Sequence, residues 1–254
     1  MTWLGSLLDI LFPAGCVGCG APPVALCPVC LAAARPAPAS PAGGRPPPGL
    51  DWWAAAFRYE GTVREALARV KYRNARSALP PLAAALVRRL EAELPGPVDV
   101  VTWPPTTAAR RRLRAFDQAE HLARAVGRAL GVPVAACLVR RAGPSQTGRS
   151  AEARRRGPAF GAGPSPVAGL RVLVVDDVAT TGATLTAAAR ALSSAGAAWV
   201  GGATVARTPR RSGRPEGCGS VTARSSASTG APLFAVSRSS ASGRGPPSEG
   251  AKDS

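Results

Sequence analysis

The amino-acid sequence predicts an α/β fold: a parallel sheet flanked by helices, with a four-cysteine unit before it and a disordered tail after it. Three observations predict it. Apolar runs of strand length alternate with helical patterns from Trp52 to about Ala206. The run Val172–Val175 is apolar without interruption, as in a strand buried on both faces, and leads through Asp176 and Asp177 into a small-residue loop and then a helix. Ahead of the alternating region stand Cys16-x2-Cys19 and Cys27-x2-Cys30.

The elements follow in order. In the first twelve residues Trp3, Leu4, Leu7, Leu8 and Leu11 share one helical face, which predicts a short docking helix. Asp9 interrupts the apolar run and no basic region precedes it, so a secretory signal is not expected. No apolar stretch has the length of a membrane span, so a cytoplasmic protein without membrane insertion is expected. The division expected is 1–34 for the helix and cysteine unit, 35–50 for a linker too rich in Pro and Gly to pack, 51–208 for the globular domain, and 209–254 for a tail without apolar periodicity.

Within the domain, strands are predicted at 52–59, 98–103, 132–139, 172–176 and 199–205. Helices are predicted at 62–71, 78–93, 118–130 and 185–195. Pro104-Pro105 stops the second strand, and Gly131 and Gly196 end two of the helices. Asp117 followed by Glu120 reads as an N-cap with a capping box.

The chemistry concentrates where the fourth strand should end. A strand that runs into a loop opening a helix presents backbone N–H groups and the positive end of the helix dipole to one spot. Thr180, Thr181 and Thr184 add hydroxyls. Asp176 and Asp177 can bond sugar hydroxyls or hold a divalent cation through oxygen. A phosphate cradle beside two carboxylates suits a ribose 5-phosphate. An ordinary buried strand whose Asp pair caps the next helix is the plainer alternative.

The cysteines are the second signal. Two Cys-x2-Cys hairpins can converge on one tetrahedral zinc, with Cys16, Cys19, Cys27 and Cys30 as its ligands and a structural role. Two disulfides or fortuitous spacing are the alternatives, the disulfides disfavoured in a cytoplasmic chain. Cys137 is expected in the core, and Cys218 has no partner nearby in the sequence.

Net charge is +17, and all but two of the 32 basic residues are arginine. A basic body favours polyanions such as nucleotides, pyrophosphate or nucleic acid without choosing among them. The Arg110–Arg114 run is read either as a solvated loop or as arginines at the mouth of a phosphate site. The segment 140–160, with Gln146 and Arg154–Arg156, is read as a lid or a disordered loop. His121, the single histidine, is read as a surface or packing residue.

The four-cysteine knuckle, the Pro-rich linker, Val70-Lys71-Tyr72, the Arg-Arg-Leu-Arg-Ala-Phe-Asp-Gln-Ala element ending at Ala119, Gln146, Arg154 and the Val175–Thr184 run occur in the order seen in the ComF family. In this respect the chain resembles ComF proteins, which are type I phosphoribosyltransferase-like proteins linked to competence for DNA uptake. The resemblance implies a type I phosphoribosyltransferase core that binds phosphoribosyl pyrophosphate (PRPP) with Mg2+ and transfers its 5-phosphoribosyl group to an acceptor. It implies that Asp176 and Asp177 are the catalytic carboxylates, meeting the ribose hydroxyls and magnesium. Val178, Ala179, Thr180, Thr181, Gly182, Ala183 and Thr184 would bind the 5-phosphate portion of PRPP, and Thr106 and Thr107 would face pyrophosphate. The chain departs from the family pattern at Ala115 and Gly157, and it lacks a histidine near Thr107. The competing reading is a non-catalytic accessory of DNA uptake that binds single-stranded DNA or a helicase partner.

Overall fold

The computed structural model describes residues 15–40, 45–73, 75–114, 116–141 and 158–209. The expected N-terminal helix, Gln146 and Arg154–Arg156 of the expected lid, and the tail with Cys218 lie outside these residues.

Four parallel strands form the main sheet in the order β1 (Trp52–Arg58), β6 (Trp199–Arg207), β5 (Arg171–Ala179), β2 (Val100–Thr102). β5 lies inside the sheet, and Val172, Leu173, Val174 and Val175 are fully buried. Burial on both faces is what the unbroken apolar run required. The strand continues past the carboxylates: Val178 and Ala179 pair with Ala206 and Arg207. The expected end at Asp176 is therefore too early, because β6 extends the ladder by three further residues.

Helices cover both faces. Leu173 and Val175 pack with α2 (Gly61–Arg73), α3 (Leu79–Glu93) and α5 (Gln118–Leu130), whereas Val172 and Val174 pack with α6 (Ala183–Ser194). α5 begins as expected: Asp117 is its N-cap and accepts the N–H of Ala119 at 3.1 Å, and Gly131 ends it at φ +67°. Glu120 takes a different part from a capping-box acid, pairing with Arg111 and Arg124 at 3.2 and 2.8 Å.

Three stretches differ from expectation. The linker packs where it is described. Pro36 bridges Phe57 antiparallel at the β1 edge, the Ala37 N–H donates to the Ala56 carbonyl at 3.0 Å, and Pro47 and Leu50 are buried. Proline can sit there because an edge position needs no N–H on its outer side. The strand expected at 132–139 divides. Val134 makes an isolated parallel bridge to Val101, and β3 (Leu138–Arg140) pairs antiparallel with β4 (Phe160–Ala162) in a separate two-stranded sheet. The arginine run is helix α4 (Ala108–Arg114), begun by the Arg111 N–H donating to the Thr107 carbonyl at 2.8 Å. Ala and Arg are both strong helix formers, so charge did not prevent it. A short helix, α1 (Pro28–Ala32), closes the cysteine unit. Among the described residues no helix is long and apolar enough to cross a membrane.

Candidate active site and metal centre

The sheet places its functional side chains by alternation. Asp177 lies two residues beyond Val175 and four beyond Leu173, so it shares their face of β5, the face covered by α2. Lys71, near the end of α2, meets it there: Nζ stands 2.8 Å from Asp177 Oδ2, with the two side chains only 21% and 12% exposed. Asp176 accepts the Asp177 N–H at 2.8 Å. Burial pushes the Asp176 carboxyl from its ordinary 3.8 up to about 8, and the neighbouring Asp177 charge adds to the rise. For Lys71, burial works against the ammonium, but Asp177 and then Asp176 outweigh it and hold its pKa above the usual value.

These groups line a cleft of about 290 Å3 at the carboxyl end of the sheet, with Tyr72, Pro104, Pro105, Thr106, Phe116, Asp117, Arg140, Val178 and Thr184 around it. Open parallel sheets bind ligands at this end. Asp117 organises the far wall. One carboxylate oxygen caps α5, and the other accepts the Thr106 N–H at 2.9 Å, pinning the Pro104–Thr107 loop to the helix start. The capping role was legible from spacing, whereas the tie to Thr106 spans eleven residues of chain and had no local signal. A larger cleft, about 680 Å3 between α3 and α5, has Glu91 as the only carboxylate among its lining residues and holds none of this chemistry.

Of the residues singled out from sequence, Asp176, Asp177, Val178, Thr184 and Thr106 meet in the cleft. Ala179 is buried, while Thr180 and Thr181 are exposed on the loop that leads into α6. Gly182 is the N-cap of that helix, at φ +78°, and no side chain caps it. The Asp pair therefore does not cap α6. Thr181 Oγ1 accepts the Ala183 N–H at 3.3 Å. Thr107 stands at the start of α4 and is not among the cleft-lining residues. Arg111 is turned to Glu120, and it is Arg140 that reaches the cleft wall. His121 is exposed, with its ring edge against Phe116 at 5.3 Å between centroids.

Asp176 makes stability depend on pH. Its folded pKa lies above the unfolded value, so the folded chain binds the extra proton, and stability falls as pH rises from about 4 through about 8. In metal-free buffer the wild-type melting temperature is expected to decline over that window. Asp176→Asn, which cannot ionise, should decline less. Parallel curves for the two proteins between pH 5 and 9 would refute the assignment.

The cysteine unit forms a second centre. The Sγ atoms of Cys16, Cys19, Cys27 and Cys30 all lie within 4.8 Å of one another. A tetrahedral zinc at about 2.3 Å from each sulfur sets them ~3.8 Å apart, and Cys19 and Cys27 stand at 3.8 Å. The N–H groups of Cys27 and Gly18 donate to Cys16 Sγ at 3.3 and 3.4 Å. Backbone N–H donation, from Cys27 first, pulls the Cys16 pKa down, while contact with Cys27 and Cys16 pushes that of Cys30 up. Four sulfurs this close cannot all ionise without a cation among them, so the cluster fits a metal of zinc's preferences. Cys137 is buried in the core as expected.

Residues 116–228 match the phosphoribosyl transferase domain model. The match covers a little under half of the chain. The carboxylate pair, loop and following helix fall inside the matched region. No curated protein matches the chain. Solved structures with similarity include glutamine PRPP amidotransferase from B. subtilis (24% identity, TM-score 0.36), which aligns over 51% of this chain and 27% of that one. Purine phosphoribosyltransferase from Pyrococcus horikoshii aligns over 51% of this chain and 83% of that one, at 18% identity and TM-score 0.33. Adenine phosphoribosyltransferase from Leishmania tarentolae aligns over 50% and 56%, at 20% identity and TM-score 0.31. The chain thus spans about a quarter of the length of the amidotransferase.

Proposed function

We propose that the cleft binds PRPP with Mg2+ and that the chain transfers the 5-phosphoribosyl group to an acceptor. The observation that carries this reading is that Asp176 and Asp177, with Thr184 in the first turn of α6, line one cleft together with Thr106. Val178 to Thr184 would hold the 5-phosphate through backbone N–H groups and the Thr184 hydroxyl, where the helix dipole favours an anion. Asp176 and Asp177 would orient the ribose through its hydroxyls and offer oxygen ligands to magnesium. Magnesium bound with PRPP supplies neutralisation of the pyrophosphate charge. Thr106 and Arg140, on the opposite wall, would face the departing pyrophosphate together with Thr107. Fixed donors of this kind stabilise charge as it develops and hold the anomeric carbon in place.

The finer assignment, to a ComF-type protein, rests on the motif order together with the cysteine unit, whose four thiols would hold a structural zinc. The competing role as a single-stranded DNA module needs exposed aromatic faces for stacking. Trp52, Phe57 and Tyr59 pack into one core cluster and Trp53 against the other, so the aromatic group serves the core. That favours the phosphoribosyl reading.

Calorimetric titration of the chain with PRPP in the presence of Mg2+ tests the proposal, and saturable binding at one site per chain is expected. Isotope-labelled PRPP incubated with pooled nucleobases then identifies the acceptor class. Absence of saturable PRPP binding overturns the reading.

A further inference from the structure

We propose that Lys71 is a built-in counterion that keeps free divalent metal away from the Asp176–Asp177 pair, so that metal enters the cleft only together with PRPP. The inference rests on the phosphoribosyl reading of the cleft and adds an order of binding to it.

Each carboxylate of the cleft already has a partner inside the protein. Asp177 holds the Lys71 ammonium at 2.8 Å, and both side chains are largely shielded from water. Asp176 Oδ1 takes the Asp177 N–H at 2.8 Å. Asp117, the third carboxylate in the cleft wall, gives one oxygen to the Ala119 N–H and the other to the Thr106 N–H. A bare divalent ion that ligates Asp177 must therefore settle beside the ammonium or displace it. That would leave a shielded positive charge beside the incoming one, which is the costly way to break a buried pair. Metal carried on a pyrophosphate avoids this, because the phosphate oxygens arrive with it and receive the ammonium as it leaves.

The residue type fits such a transfer. Lysine carries a compact charge with three rotatable donors on a flexible stem, whereas the planar fork of arginine locks onto a carboxylate in a bidentate manner. Nearly every basic residue of this chain is arginine, and the only lysine besides Lys71 is Lys252. The exception to the chain's own habit thus stands against the acidic pair.

Two measurements test the proposal. Free Mn2+ is followed by electron paramagnetic resonance with wild type, Lys71→Met and Lys71→Arg, with and without PRPP. Wild type and Lys71→Arg are expected to leave Mn2+ free until PRPP is added. Lys71→Met should bind Mn2+ alone at least about tenfold more tightly than wild type. Equal Mn2+ binding by wild type and Lys71→Met overturns the proposal. The second measurement needs no substitution. Protein labelled with 13C-lysine has two Cε signals, one for each lysine. The Lys71 signal should stay in place with Mg2+ alone and move when PRPP joins it. Movement with Mg2+ alone, or none while PRPP is bound, overturns the proposal. If PRPP fails to bind in every arm, the phosphoribosyl reading falls, and the comparison in metal alone still decides whether Lys71 excludes cations.

Discussion

The double variant Asp176→Asn, Thr181→Val is expected to lose saturable PRPP binding while keeping its fold. The substitution removes a carboxyl group from the cleft and a hydroxyl from the loop entering α6. Each lost hydrogen bond to a charged group is worth roughly 1.5–3 kcal/mol, so the two together weaken binding by about a hundredfold or more. The fold should survive for local reasons. Asn can still accept the Asp177 N–H through its side-chain oxygen, and it removes a carboxylate that burial disfavours. Thr181 is exposed, and its hydroxyl accepts the Ala183 N–H. Calorimetry with PRPP and Mg2+, alongside a melting curve, gives both readouts. Unchanged affinity in a folded variant would show that PRPP sits elsewhere or that this loop does not hold its phosphate.

The second large effect is expected at the cysteine unit. Protein purified without added metal should contain one zinc per chain, and removing it with a chelator, or replacing Cys27 with Ser, should lower the melting temperature substantially. The reason is that the unit shares its core with the domain: Ala25, Leu26 and Leu31 are buried in the same cluster as Val63, Leu67 and Leu82. Losing the burial of two leucines costs about 3–6 kcal/mol, on the order of ten degrees in a domain of this size. The damage should remain partial at first, because α6 and the strand residues Val172, Val174 and Val200 form a separate core cluster. Metal-free protein with all four cysteines reduced and an unchanged melting temperature would contradict the assignment.

What the sequence showed and what it hid follow from the range of each interaction. β5, its loop and α6 are legible because an unbroken apolar run, small residues and a helical pattern are local signals in direct succession. α5 was legible for the same reason, with Asp117 at its start and Gly131 at its end. The packing of Arg35 to Ala37 on β1 was not, because it is made by the edge of a sheet whose other strands lie far along the chain. The β3–β4 pair joins residues on either side of 142–157, and the second strand is only three residues long, too short to show a period. Lys71 stands in the Val70-Lys71-Tyr72 motif, which by itself assigns it no role. Its partner lies more than a hundred positions away, and a lysine on a helix carries no local mark of what it will face.

Gly182 shows how a single position can answer to two masters. Its backbone sits at φ +78°, and a Cβ built there would stand 3.0–3.1 Å from the Pro47 ring. A side chain at 182 therefore meets a conformational penalty, about 1–2 kcal/mol for an L-residue in the left-handed region, and a separate steric one from the Pro-rich stretch. The two are independent. A suppressor such as Pro47→Gly can clear the space but cannot change the sign of φ. Among variants of this loop, Gly182→Ala should thus be only partly rescued by any change at Pro47, with the unrescued remainder measuring the backbone alone. In a saturation screen for PRPP binding, position 182 is expected to tolerate glycine and, at reduced fitness, asparagine, the residue that best accepts this conformation. The stretch that looked like a passive tether thereby restricts, from outside, which mutational paths remain open to the loop beneath it.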